Sequence, residues 1–338
     1  MDPAADYYYW GAPTARLNFG EVDYLESAYI AEPYNTFSSL VFTWLGVVGW
    51  RAARRAHLPL YVAAAHGAMA VTGFASALFH ATLQFHFHIF DEIAESWIVL
   101  VLLYTVRLFP NDESPRGDSS PRSPATSLAF QWPLFFLHGL IMSVLIYCIM
   151  GFCEVHLVAV AAYVAIRIVR TMKALERRME HRQRDSRSTT VFGSGASSAQ
   201  LEVLATTLRY GSIFLLLGVS SWLLEVIFSG TIAQLQMTAA GSTTRCIQPM
   251  TGGDGGGRLQ AEAPTHVYAL AVWRMVQLHA CWHLFMALAT YMATVVVAVL
   301  HPGGDRQGEV RRHGDALRPS IAVAHGLFGL PTYAVSPS

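Results

Sequence analysis

Seven runs of mostly apolar residues, at 36–50, 58–83, 92–108, 130–151, 154–170, 205–228 and 267–300, constrain this chain of 338 residues more than any other feature. About 20 apolar residues in a helix cross the hydrocarbon core of a bilayer, and several of these runs are longer than an ordinary core helix. Composition agrees. With 53% hydrophobic against 14% charged residues and a mean hydropathy of +0.35, there is too little polar surface to face water. The expected fold is an all-α membrane protein, a bundle of seven transmembrane helices; the competing reading is a soluble protein with long buried helices. The fourth and fifth runs are divided only by Gly151-Phe152-Cys153-Glu154.

Twenty-three Lys and Arg balance 23 Asp and Glu, so there is no basic field to attract nucleic acid, and no nucleic-acid partner is expected. Cys148, Cys153, Cys246 and Cys281 form no CxxC pair, which speaks against a zinc ribbon or a disulfide scaffold. Residues 1–16 lack a basic start followed by an apolar stretch, so no cleavable signal is evident and the first span does the targeting. Most basic residues follow the first, third, fifth and seventh spans, among them Arg51, Arg54, Arg107, Arg116, Arg170, Lys173, Arg311 and Arg312. Short cytoplasmic loops retain Lys and Arg, which puts the N-terminus on the lumenal side and the C-terminus in the cytosol. Residues 110–124, 180–199 and 230–264 read as linkers, the last being Gly-rich. The basic run 172–187 reads as a solvated topology signal, with a basic helix lying against anionic cytoplasmic lipid as the alternative.

Ionisable groups inside spans are costly and usually functional. Ser76 and His80 are spaced i, i+4 at the end of the second span, and His279 and His283 repeat that spacing in the seventh, so each pair shares a helix face. Asp91 opens the third span and Glu225 lies near the end of the sixth. In the orientation set by the arginines, all of these meet at the lumenal end. Three neutral imidazoles with a free coordination position describe a catalytic zinc site, which can bring the pKa of water down to about 7. His80, His279 and His283 are therefore the expected zinc ligands, Asp91 the general base and Ser76 the donor to a developing oxyanion. His86 and His88, alternating with Phe, suit an interfacial loop, and His66, His138 and His156 read as structural.

Ahead of the first span, residues 17–24 and Glu32 place several oxygen donors just outside the membrane. Such donors suit calcium, although the spacing is not that of an EF-hand and a polar juxtamembrane cap fits it as well.

Taken together these motifs resemble the alkaline ceramidase family, seven-helix membrane amidases of the group that also holds the adiponectin and progestin receptors. Trp10-Gly11-Ala12-Pro13-Thr14 with residues 18–24 looks like the family's opening W-G-x-x-T…D-W-C-E-x-N-Y element, and Ile30-Ala31-Glu32 with Asn35-Thr36 like its I-A-E-x-x-N-T. Ser76 with Phe79-His80-Ala81-Thr82-Leu83 is similar to S-x-x-F-H-x-T-L, Asp91-Glu92 to a D-E pair, and His279 to His283 to H-A-x-W-H. The resemblance implies calcium bound by side-chain oxygens of Asn18, Glu21, Asp23 and Glu32 and the backbone carbonyl of Phe19, with zinc as above. It implies hydrolysis of the amide of ceramide or phytoceramide, in the endoplasmic reticulum or Golgi. The chain then divides into a lumenal calcium-binding segment (1–35), a catalytic seven-helix domain (36–300) and a cytosolic tail (301–338). Asn18 and Asp23 exchange the family's usual Asp and Asn, and Gly20 replaces its Cys, so no disulfide can form from that position and Cys246 loses that partner. Two rivals remain: a lipid-sensing receptor of the adiponectin or progestin type with a cytosolic N-terminus, and a zinc-stabilised bundle without activity.

Overall fold

The computed structural model describes residues 9–17, 19, 21, 23–24, 26–107, 124–186, 195–247, 277–300, 321–325 and 330–335. Seven helices lie among them: α1 (Pro33–Arg55), α2 (Leu60–Thr82), α3 (Phe85–Val106), α4 (Pro124–Cys148), α5 (Phe152–Ser186), α6 (Gly195–Ile247) and α7 (Leu278–Leu300). Local chemistry sets the ends. Pro33 starts α1 where its missing N–H costs nothing, Leu83 closes α2 in the left-handed conformation, and Gly151, at φ +78°, turns the chain from α4 into α5.

Four stretches are long and apolar enough to cross a membrane: Leu60–Thr82, Phe152–Ala174, Glu202–Phe228 and Leu278–Leu300; Trp132–Cys148 is apolar but shorter. Helices α1 and α3, which bring polar groups to the site described below, fall outside that set. Only 22% of the apolar windows of α5 and α6 is buried, leaving Val155, Val158, Ile166, Leu216 and Ile227 exposed. Water would penalise each of these side chains by roughly 1–3 kcal/mol, whereas lipid would not.

Neighbouring helices run α4, α3, α2, α1, α7, α6, with α5 against α3. The core between α1, α2, α3 and α7 holds Phe42, Leu45, Met69, Ile98, Ala287, Tyr291 and Val295. Small residues bring α1 and α2 closest: a Cβ on Gly46 would collide with the backbone of Ala70, and one on Gly73 with that of Thr43. Gly46→Ala must push the two helices apart. We expect it to lower the melting temperature, at a cost of about 1–3 kcal/mol; an unchanged melting curve would show that the contact is slack.

Several expectations change. The stretches 180–199 and 230–264 were expected as linkers, yet α5 continues to Ser186 and α6 covers Gly195–Ile247, because helical hydrogen bonding carries on past the apolar windows. Asp91 lies in the second turn of α3 rather than at its start, since the helix begins at Phe85. The remainder of 110–124, 180–199 and 230–264, residues 267–276 of the last apolar run, and Asn18 lie outside the described residues. Within the expected tail, β1 (Ile321–His325) and β2 (Pro331–Val335) form an antiparallel hairpin with Ile321 opposite Val335. Tyr333 is buried in the α1–α2–α7 core, its hydroxyl 2.8 Å from His66 Nε2, and Tyr291 donates to the Pro331 carbonyl at 3.0 Å. His66 thus has a partner 267 residues away that no local pattern announces.

Candidate metal centre

The ends of α1, α2 and α7 meet beneath the N-terminal segment. His80 comes from the last turn of α2, and His279 and His283 from the first turns of α7. Their ring centroids are 5.1, 5.0 and 4.6 Å apart in the pairs 80–279, 80–283 and 279–283. All three are buried, and their ligand nitrogens lie within 4.8 Å of one another, the one such group of histidine, cysteine or acidic side chains among the described residues.

Each ring is oriented from behind through Nδ1. His80 Nδ1 meets Glu32 Oε2 at 2.5 Å, and His279 Nδ1 meets Glu225 Oε2 at 2.9 Å. His283 Nδ1 lies 2.9 Å from Ser38 Oγ and 3.3 Å from Ser39 Oγ; both serines donate to the Asn35 carbonyl and so accept from the ring. With Glu32 Oε2, Glu225 Oε2 and the α1 serines as acceptors, each ring carries its proton on Nδ1, which leaves three Nε2 lone pairs for a common centre. His283 Nε2 is buried without a hydrogen-bond partner among the described residues. Three neutral imidazoles held by second partners are the donor set a divalent transition metal takes, so the residues fit such an ion. Substituting Glu225 by alanine frees the His279 ring and should weaken metal affinity about 10–100-fold, measured by competition with a chromophoric chelator; unchanged affinity would mean that the carboxylate orients nothing.

Ser76 hydrogen-bonds to the Asp91 carboxyl and lies 3.0 Å from Ser39 Oγ. Both are buried, at 3% and 7% exposure, which joins the serine–carboxyl pair to the α1 serines behind His283. His88 stays out of the trio: its Nε2 meets Glu92 Oε1 at 3.3 Å and its Nδ1 accepts from the Arg16 backbone at 3.3 Å.

The N-terminal segment straps this end of the bundle. The Thr14 and Ala15 N–H groups donate to the Leu83 carbonyl, Ala31 N–H to Ala81, and Glu32 N–H to His80, at 2.9–3.0 Å. The Phe19 ring stacks on His279 at 3.9 Å. Glu21 accepts from the backbone N–H groups of Tyr34 and Asn35 at 3.0 and 2.9 Å, capping α1 from thirteen residues upstream, a role its sequence position did not signal. Glu32 sends one oxygen to His80 and to the Asn35 amide; its Oε1 and Asn35 Oδ1 are buried without hydrogen-bond partners among the described residues. Glu225 is found at the histidine end of the bundle, where it was expected, but no spacing along the chain pairs it with His279.

The ceramidase family model matches residues 11–244. The chain belongs to the ceramidase family. The match takes in the strap, Ser76, His80, Asp91 and Glu225 of this ceramidase-family chain, and ends before α7, so His279 and His283 enter the site on geometry. Among curated relatives, alkaline ceramidase 3 of Mus musculus is 31% identical over 105 residues, 31% of this chain and 39% of its own length. The Arabidopsis thaliana alkaline ceramidase is 32% identical over 96 residues, 28% of this chain and 38% of its own. A Saccharomyces cerevisiae alkaline ceramidase is 24% identical over 220 residues, 64% of this chain and 63% of its own. The chain spans less than two thirds of each of these relatives.

Proposed function

We propose that this chain is a membrane-embedded, zinc-dependent amidase that hydrolyses ceramide or phytoceramide to a sphingoid base and a fatty acid. The observation that carries the reading is the buried trio of imidazoles, each fixed through Nδ1, beside a hydrogen-bonded serine–aspartate pair. His80, His279 and His283 would hold the zinc. When bound, the metal supplies a Lewis acid that polarises an acyl oxygen and brings the pKa of water towards 7. Asp91 takes a proton from the attacking water and returns one to the leaving nitrogen. Once Asp91 has taken that proton, Ser76 turns its single hydroxyl proton from Asp91 to the negative charge that develops on the acyl oxygen, and the Phe19 strap keeps bulk water from the imidazoles. The apolar outer faces suit seven spans in the endoplasmic reticulum or Golgi membrane, N-terminus lumenal and C-terminus cytosolic, so the two tails of the lipid can stay in hydrocarbon. The family match favours hydrolysis over the lipid-sensing receptor reading. Purified protein incubated with a panel of ceramides and phytoceramides, with and without a zinc chelator, tests this: mass spectrometry should find free base, lost on chelation. Zinc-loaded protein that releases no base from any of them would refute it.

Calcium, in this reading, is held by Glu21, Asp23 and Glu32 with Asn18 and the Phe19 carbonyl, and pins the strap over the site. Burial foremost raises the Glu32 carboxyl well above the usual range, opposed by the Asn35 amide and reinforced by Asp23 and Glu21; a divalent cation would offset that crowding. Burial likewise pushes Glu21 up to about 7, against the Tyr34 and Asn35 N–H bonds that favour its charge. The folded chain therefore binds this proton more tightly than the unfolded chain. Without calcium, stability should fall as pH rises from the ordinary 4.5 through about 7. Calcium binds the ionised form, so the increment it adds to the melting temperature should grow over the same range. Melting curves with and without a calcium chelator, on both sides of neutrality, read this directly; an increment independent of pH would remove Glu21 from the site.

A further inference from the structure

Behind Asp91 the polar groups continue away from the imidazoles. Asp91 and Glu95 stand one turn apart on α3 with Glu92 beside them, and α5 packs against α3. Glu95 faces Asp91 and Glu92 along its own helix and Glu154 on α5. The Cys153 thiol lies 4.0 Å from Glu95 Oε2 and donates to the Glu92 carbonyl at 3.2 Å. Glu92 is engaged with His88, whereas Glu95 is within electrostatic reach of both Asp91, one turn away on α3, and Glu154 on α5. Asp91 Oδ1 and Glu154 Oε2 are both buried without a hydrogen-bond partner among the described residues. Glu154 is partly exposed and borders Gly151 in the α4–α5 turn. The acids do not close into a metal cage, since among the described residues only the imidazole trio brings its ligand atoms together.

Amide hydrolysis by water forms one C–O bond and breaks the C–N bond. One water proton goes to the nitrogen, which leaves as a primary amine. The second passes from the newly formed fatty acid to Asp91, which is ionised again once it has protonated the nitrogen. Where the amine departs neutral, that proton must leave a buried site by another route. Carboxyl groups crowded in a low-dielectric interior share protons, and chains of such residues inside membranes serve as relays.

We propose that Glu95 passes this proton from Asp91 to Glu154, which delivers it to water at the α4–α5 turn, directly or through bridging waters. The relay rests on the amidase reading above. Glu95→Gln in the full-length protein should keep its zinc content and melting temperature and leave KM for ceramide unchanged, while kcat falls several-fold. Imidazole added as a small proton carrier should restore kcat in proportion to its concentration, with zinc content checked at each step; the wild type should not respond. Glu154→Gln, at the exposed end of the path, should behave the same way and stands in if the Glu95 variant does not fold. A Glu95 variant with wild-type kcat, or one slowed and deaf to imidazole, overturns the relay alone. A wild-type protein that releases no base from ceramide overturns the amidase reading, and the relay with it.

Discussion

His283→Ala is expected to leave less than about a thousandth of wild-type ceramide turnover, since a Lewis acid contributes several kcal/mol to the transition state and each 1.4 kcal/mol is tenfold. The ring is buried, its Nε2 has no hydrogen-bond partner among the described residues, and its Nδ1 is held by the serines of α1. Nothing else nearby can replace it, because His88 is tied to Glu92 and to the Arg16 backbone. Zinc should be lost together with activity, read by elemental analysis of the purified variant. His88→Ala is the control and should keep its zinc. Full zinc and full turnover in the His283 variant would sink the three-imidazole centre.

Asp91→Asn separates proton transfer from metal binding. The amide can still accept the Ser76 hydrogen bond, so the site keeps its shape and its zinc, but it cannot take a proton from water. General base catalysis is worth about 10²–10⁴-fold, and kcat should fall by that factor with KM little changed. The two variants then differ in kind: one loses metal and rate, the other rate alone. Retention of more than about a tenth of wild-type kcat would move the base elsewhere.

Much of the site could be read from short spacings. Ser76 with His80, and His279 with His283, announce themselves because a helix stacks residues four apart on one face, and an intramembrane His or Asp has few bland explanations. The groups that orient those rings were far less legible. Glu225 lies 54 residues before His279 and Glu32 lies 48 before His80, distances over which no periodicity links two positions. Glu32 was expected only as a calcium ligand; one of its oxygens meets His80, while the other is still available to a cation. Glu21 carried the same expectation and caps α1. His66 and His156 looked unpartnered along the chain and meet Tyr333 and Ser96. The hairpin escaped notice because its short strands carry no strong alternation and its anchor, Tyr333, docks against helices hundreds of residues earlier.

Helix type, the apolar runs and the identities of the metal-seeking side chains were decided by composition and local period, because a bilayer requires long apolar helices and a helix repeats every 3.6 residues. Which end of each helix faces which neighbour was decided by packing: close α1–α2 contact at Gly46 and Gly73, α7 alongside both α1 and α6, and the strap tied to the last turn of α2. Those contacts turn three separate histidines into one donor set and choose Nε2 over Nδ1 as the free nitrogen. Hydrogen bonds between distant residues depend on distance in space, which a one-dimensional pattern does not encode.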